Sequence, residues 1–169
     1  MTSADAEALR RASAHVLVDD VARPALDDDA SHHLFRVLRL RDGELVTVTD
    51  GEGRWRSCRA VGGSVVVDGD VAQFDRRAHP LTLAFSIPKH DRPEWIVQKL
   101  TELGIDRIVL LHADRSVVRW TDERAERHLA KLRRVAAEAI QQSRQVWLPT
   151  IEGPVTASSM LGSMTAAEP

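Results

Sequence analysis

The sequence predicts an α+β protein, a small β-barrel followed by an α/β domain, and three observations carry that prediction. Between Ala14 and Phe74, short β-branched runs alternate with glycine and aspartate turns, the spacing of a small barrel. After Pro80 the period changes. Continuous apolar runs at Leu81–Ile87 and Arg107–Leu111 flank a helical stretch, as expected for strands buried on both faces of a βαβ unit. Between the two regimes lies the polar, proline-terminated stretch Arg76-Arg77-Ala78-His79-Pro80. The domains are therefore placed at 14–76 and 80–169, behind a flexible or weakly helical N-terminus, 1–13.

His15–Val18 is a short apolar strand. Asp29-Ala30-Ser31 followed by His32–Leu38 reads as one short helix capped by Ser31 or an aspartate. Leu45–Thr49 and Trp55–Val61 form a hairpin about Asp50-Gly51-Glu52-Gly53, and Gly62-Gly63 turns the chain into Ser64–Val67. Asp68-Gly69-Asp70 turns it again into Val71–Phe74.

In the second region, Pro93 opens a helix. Ile96, Val97, Leu100 and Leu103 are its apolar face, and Gly104 is its cap. Thr121 starts a long helix with the apolar stripe Ala125, Leu129, Leu132, Ala136, Ala139 and Ile140. Its basic stripe is Arg124, Arg127, Lys131 and Arg134. Val146–Ile151 is read as a third strand interrupted by Pro149, and the tail starts another short helix.

Composition narrows the function classes. The chain has 169 residues, 43% hydrophobic and 28% charged, with net charge −2, an ordinary globular mix. No apolar run approaches the roughly 18 residues of a membrane span. The N-terminus lacks an apolar signal core, so the expected location is cytoplasmic. With Cys58 alone, an intramolecular disulfide is impossible and a cysteine-based zinc site is disfavoured. Residues 31–60 and 121–149 each carry six basic and four acidic residues. Such local basic surplus on a near-neutral chain suits a specific RNA or phosphate partner, though scattered solvated arginines fit it equally.

Motifs sharpen this only partly. Gly51-Glu52-Gly53 lacks a third glycine and a following helix, so it reads as a hairpin turn rather than a dinucleotide loop. His32-His33 has no acid or cysteine at ligand spacing, which argues against a metal. Arg36 and Arg39 share a face if the segment is helical; their forks suit phosphates, but solvation explains them equally. Gln98, Lys99 and Glu102 sit on the helix after the first buried strand, near where open α/β sheets place ligands. The competing reading is a Lys99–Glu102 surface ion pair. Glu138, Gln141, Gln142 and Arg144 close the long helix, either as a polar terminus or as a site wall.

Together these residues resemble the bacterial small-subunit (16S) ribosomal RNA uridine N3-methyltransferases of the SPOUT superfamily. The matching positions begin with His33, Arg36-Val37-Leu38-Arg39, Asp50-Gly51 and Lys89. They continue with Gln98-Lys99-x-x-Glu102-Leu103-Gly104 and Arg115-Ser116-x-Val118. Ala137-Glu138-x-x-Gln141-Gln142-x-Arg144 and Pro149 complete them. The resemblance runs from about Val16 to Ile151.

The resemblance implies a PUA-like RNA-binding barrel and a trefoil-knot SPOUT domain, working as a homodimer with S-adenosylmethionine and no metal. It implies methyl transfer to N3 of a uridine in ribosomal RNA of the small subunit. Arg144 and Lys99 are then the candidates for stabilising charge on the base. His33, Arg36, Arg39, Lys89, Gln98, Glu102, Arg115 and Gln142 are the candidates for RNA contact. The family's glycine-rich loop, which with a leucine/arginine-rich segment forms the knot, has no counterpart before Pro169. The expectation is therefore an incomplete SPOUT domain lacking its cofactor segment. A non-catalytic RNA-binding adaptor is the alternative.

Overall fold

The computed structural model describes residues 3–113 and 120–165. The chain divides into two compact units: 1–77 with 140–148, and 78–139 with 149–169.

The first unit is built on a five-stranded sheet. β1 (Ala14–Leu17) pairs parallel with β2 (Leu45–Thr49), and β2 pairs antiparallel with β3 (Arg54–Val61). β3 then pairs with both β4 (Ser64–Val67) and the short β5 (Ala72–Gln73). Gly62 and Gly63 link β3 to β4 with φ of 58° and 83°, the two left-handed residues a tight hairpin needs. The core holds Val16, Val21, Leu34, Val46, Val48, Cys58 and Ala60. Burial pushes the Cys58 thiol up to about 11, so it behaves as a small apolar residue.

The structure decides between alternatives left open for this unit and corrects others. The N-terminus takes the helical alternative, from Ser3 to Arg11 (α1), because Leu9 gives it something to bury against Trp55 and Val146. The helix before β2 starts earlier than expected, α2 being Asp28–His32, and of the two expected caps it is an aspartate: the Asp27 carboxylate accepts from the Ala30 amide at 2.7 Å. It runs into one π-helical turn, His33–Val37, closed by Leu38 N–H donating to the His33 carbonyl at 2.9 Å. Finally, Val146–Leu148 does not join a strand leading to Ile151. Gly53 N–H donates to the Val146 carbonyl and Leu148 N–H to the Gly51 carbonyl, each at 2.8 Å. These bonds tie 146–148 to the β2–β3 turn, and Pro149, which has no N–H to donate, follows them.

The second unit is a three-stranded parallel sheet, β6 (Thr82–Ser86), β7 (Arg107–His112) and β8 (Thr150–Thr156), with β7 central. Helices α3 (Arg92–Glu102) and α4 (Asp122–Ser143) connect successive strands, and α5 (Ala157–Thr165) follows. Ile108, Val109 and Leu110 of β7 are buried, whereas the middle of β6 is only half-buried. The expectation of a β6 covered on both faces is thus corrected by its place at the sheet's edge.

Gly104 caps α3 as expected, with φ of 73°. Ile105 N–H reaches the Leu100 carbonyl at 3.0 Å and Gly104 N–H the Thr101 carbonyl at 2.9 Å, a Schellman motif. The face of α3 turns out to be Pro93, Val97, Leu100 and Thr101, while Leu103 is 73% exposed. Leu103 lies six residues beyond Val97, about 240° around the helix. The α4 stripe is buried at all six expected positions, from Ala125 to Ile140. No helix among the described residues is long and apolar enough to cross a membrane.

Candidate functional site

In the first unit, His33, Arg36 and Arg39 are all exposed, as are Val37 and Leu38 beside them. Arg36 lies in the π-helical turn, but Arg39 lies past its end with φ of 55°. The expectation that the two arginines share a helix face is corrected. The helix has ended at Leu38, and a left-handed residue redirects the chain. What remains is a solvated basic and apolar patch. Among the described residues no group of three His, Cys, Asp or Glu is placed to hold a metal ion.

Gln142 is exposed at the end of α4, and Arg144 follows it with φ of 59°. The Arg144 guanidinium donates to the backbone carbonyls of Leu9 and Arg10. Those carbonyls close α1, whose last C=O groups have no partner within the helix, and a cation there also meets the negative end of the dipole. The charge that the sequence reading reserved for a substrate is therefore engaged locally. Replacing Arg144 with Gln is expected to destabilise the unit by about 1–2 kcal/mol. It should also speed amide hydrogen exchange in α1. Exchange unchanged in α1 would remove the capping role.

A second polar feature of this unit escaped the sequence reading. His15 is 4% exposed. Its Nε2 lies 3.0 Å from the Gln145 carbonyl and its Nδ1 2.8 Å from Thr47 Oγ1. A carbonyl can only accept, so Nε2 carries the proton and Nδ1 accepts from the threonine hydroxyl. Burial, with Arg144 nearby, lowers its pKa to about 4 against the opposing Gln145 hydrogen bond. His15 is a neutral structural clasp.

In the second unit, Gln98, Lys99 and Glu102 do come together, but chiefly with one another. Gln98 Nε2 donates to Glu102 Oε1 at 2.9 Å, and Lys99 Nζ to Glu102 Oε2 at 2.8 Å. The Lys99 ammonium, with Gln98 assisting, holds the Glu102 carboxyl below its usual range. Their place corrects the sequence reading too. Ligands in open α/β sheets sit at the strands' carboxyl ends, where α3 begins. Glu102 is eight residues beyond Glu94, about 12 Å further along the helix, towards the opposite edge. Lys99 thus has an ion-pair partner in Glu102. Arg115 lies outside the described residues.

Among the described candidates of this unit, Lys89 is the one that stands at the ligand edge. It lines a cleft of about 350 Å³ with Pro88, His90, Pro93, Glu94, Trp120, His128 and Leu132. Pro93 and Leu132 are buried apolar residues. The Trp120 and His128 rings stack, with centroids 4.2 Å apart and planes at 13°. The Trp120 backbone N–H donates to His112 Nε2 at 3.3 Å. Glu94 Oε1 accepts from Lys131 Nζ at 2.6 Å, while Glu94 Oε2 is buried with no hydrogen-bond partner. His90 holds φ of 64° in the loop, an unfavourable conformation for a non-glycine residue. The sequence reading missed Glu94, Trp120 and His128, which come from separate segments. Lys131, which pairs with Glu94, belongs to the basic stripe of α4.

The glycines of this unit do not build a phosphate or cofactor cradle at that edge. Gly104 caps α3, Gly162 lies in α5, and a Cβ on Gly153 would come within 2.4 Å of the Leu110 carbonyl oxygen.

Two family models match successive stretches of the chain. The family model for an RNA methyltransferase domain matches residues 75–168, and that for an RNA methyltransferase PUA domain matches 26–59. The Ribosomal RNA small subunit methyltransferase E of Mycobacterium bovis is 32% identical over 143 residues, covering 81% of this chain and 54% of the relative. A Ribosomal RNA small subunit methyltransferase E from Neisseria gonorrhoeae, solved bound to S-adenosyl methionine, matches with TM-score 0.72 at 25% identity. That match covers 88% of this chain and 64% of the other. A probable rRNA-methyltransferase from Porphyromonas gingivalis gives TM-score 0.69 at 26% identity, with 88% and 63% covered. The chain spans about half the length of the curated relatives it matches. With more than half of its length matched by one family model, this chain belongs to the RNA methyltransferase domain family, with a PUA domain preceding it.

Proposed function

We propose that this chain acts in S-adenosylmethionine-dependent methylation of N3 of a uridine in small-subunit (16S) ribosomal RNA, as a cytoplasmic homodimer. The observation that carries the reading is the joint match of a PUA domain and an RNA methyltransferase domain in one chain. The exposed His33, Arg36 and Arg39 support an RNA-contacting role for the first unit. Lys89 and Gln142 are exposed and remain in the proposal as RNA contacts.

When bound, S-adenosylmethionine supplies an electrophilic methyl group. Uridine N3 must lose its proton before it can be methylated, and groups that stabilise the negative charge on the uracil oxygens lower that barrier.

Deleting the coding gene and analysing 16S ribosomal RNA nucleosides by mass spectrometry is the direct test. Loss of N3-methyluridine, restored on re-expression, is expected; unchanged N3-methyluridine sinks the reading. RNA binding that persists alongside unchanged methylation would favour the non-catalytic adaptor instead. Arg36→Ala combined with Arg39→Ala is expected to weaken ribosomal RNA binding and reduce its log–log salt slope by about 2. Filter binding across a salt series checks this, and an unchanged slope removes the basic patch from the interface.

A further inference from the structure

The cleft at the ligand edge of the second unit combines three recognition elements that its fold does not require together. The first is a flat ring stack. Trp120 and His128 already lie face to face at 4.2 Å, so a further planar heterocycle extends an existing stack. The second is a buried acceptor. Lys131 occupies Glu94 Oε1, whereas Oε2 has no donor, and a buried carboxylate oxygen without a donor is a costly arrangement. The third is a cation: Lys89 is exposed and lines the same cleft. Two buried apolar residues, Pro93 and Leu132, complete the lining.

Each element excludes alternatives. A purely anionic ligand would use Lys89 but meet Glu94 unfavourably. A purely apolar ligand would leave the Glu94 oxygen without a donor. The ligand that uses all three has a planar ring with an N–H donor and an attached anion. We propose that this cleft receives one unpaired nucleotide of RNA. Its base stacks on the Trp120–His128 pair and donates an N–H to Glu94 Oε2, and its phosphate meets Lys89. At about 350 Å³ the cleft falls within the range of small-ligand sites. The assignment rests on the reading of this protein as RNA-acting and adds where, and by which residues, a single base is held.

The test uses the full chain with fluorescein-labelled single-stranded RNA heptamers of uridine, cytidine or adenosine, read by anisotropy. Trp120→Ala is expected to weaken binding at least about fivefold for every heptamer, the loss that removal of one stacking partner produces. Trp120→Phe, which keeps a ring, should restore most of it. Glu94→Gln should change the ranking among the bases. Lys89→Ala should lower the salt slope by about 0.7 without altering that ranking. His128→Ala provides a second probe of the stack should Trp120→Ala not fold, and the same loss is expected from it. Undetectable binding by the unaltered chain overturns the proposal, as does affinity indifferent to Trp120 or His128 replacement. The outcomes separate from those of the gene deletion. Base-dependent binding with unchanged ribosomal N3-methyluridine leaves the cleft standing, while loss of the modification with Trp120-independent binding leaves the methylation reading standing without it.

Discussion

Gly53→Ala is expected to destabilise the first unit by about 3 kcal/mol, far more than the same change at Gly62. A Cβ at Gly53 would lie 2.3 Å from Trp147 Cζ2 and 2.6 Å from its Cε2, on a backbone with φ of 91°. Left-handed backbone costs a non-glycine residue roughly 1–2 kcal/mol, and forcing extra atoms into a packed site adds about 1–3 kcal/mol. The ring has no simple retreat. Gly53 N–H is bonded to the Val146 carbonyl and Gly53 O to Phe74 N–H, each at 2.8 Å, and Arg76 lies over the Trp147 ring at 4.4 Å. Gly62, with φ of 58°, has nothing within 4 Å of where a Cβ would stand, so only the backbone cost, about 1 kcal/mol, applies there. Urea unfolding followed by tryptophan fluorescence measures both variants. Equal losses would refute the steric argument.

Acid should weaken the same unit through His15. Its folded pKa, about 4, lies below the ordinary 6.5. Above about pH 6.5 both the folded and unfolded states hold a neutral imidazole, and the contribution to stability is complete. As pH falls from 6.5 to 4 the unfolded chain takes up a proton that the folded chain refuses. Stability then falls by up to about 1.4 kcal/mol per pH unit, roughly 3 kcal/mol in all. Below pH 4 the folded form protonates as well, and the loss levels off. His15→Gln should be less stable at pH 7 and lack this part of the slope. Urea midpoints taken from pH 7 to 4.5 check it, where carboxylate titration is common to both proteins. Parallel slopes would show that His15 does not titrate in this way.

Local patterns were legible wherever one face of one element decides burial. The six apolar positions of α4 recur at helical spacing and are all buried. Gly104, at the end of α3, makes the cap its position implies. Gly62-Gly63 makes the hairpin. Errors arose where neighbours in space override neighbours in sequence. Leu103 looked like part of the α3 face because it is apolar, but its angle from Val97 leaves it exposed. Val146–Leu148 looked like the start of a strand, but its backbone bonds go to Gly51 and Gly53.

The candidate site shows the same division. Exposed basic residues such as Arg36 and Lys89 could be read directly, since solvated charge needs no partner to explain it. Arg144 and Lys99 could not be resolved, because a long cationic side chain serves a helix terminus or a neighbouring carboxylate as readily as a substrate. His15 was invisible: its clasp joins Thr47 and Gln145, the latter 130 residues away. The cleft was equally hidden, since Lys89, Glu94, Trp120 and His128 reach it from a loop, two helices and the approach to the second of them.

The sequence by itself determined the α+β class, the change of regime near Pro80 and the family, because periodicity, turn chemistry and motif order are local properties of the chain. Only the tertiary structure decided which polar groups are already engaged and which remain open to a ligand. Hydrogen bonds and ring contacts form between atoms brought within a few ångströms, and that proximity is set by the packing of distant segments rather than by their spacing.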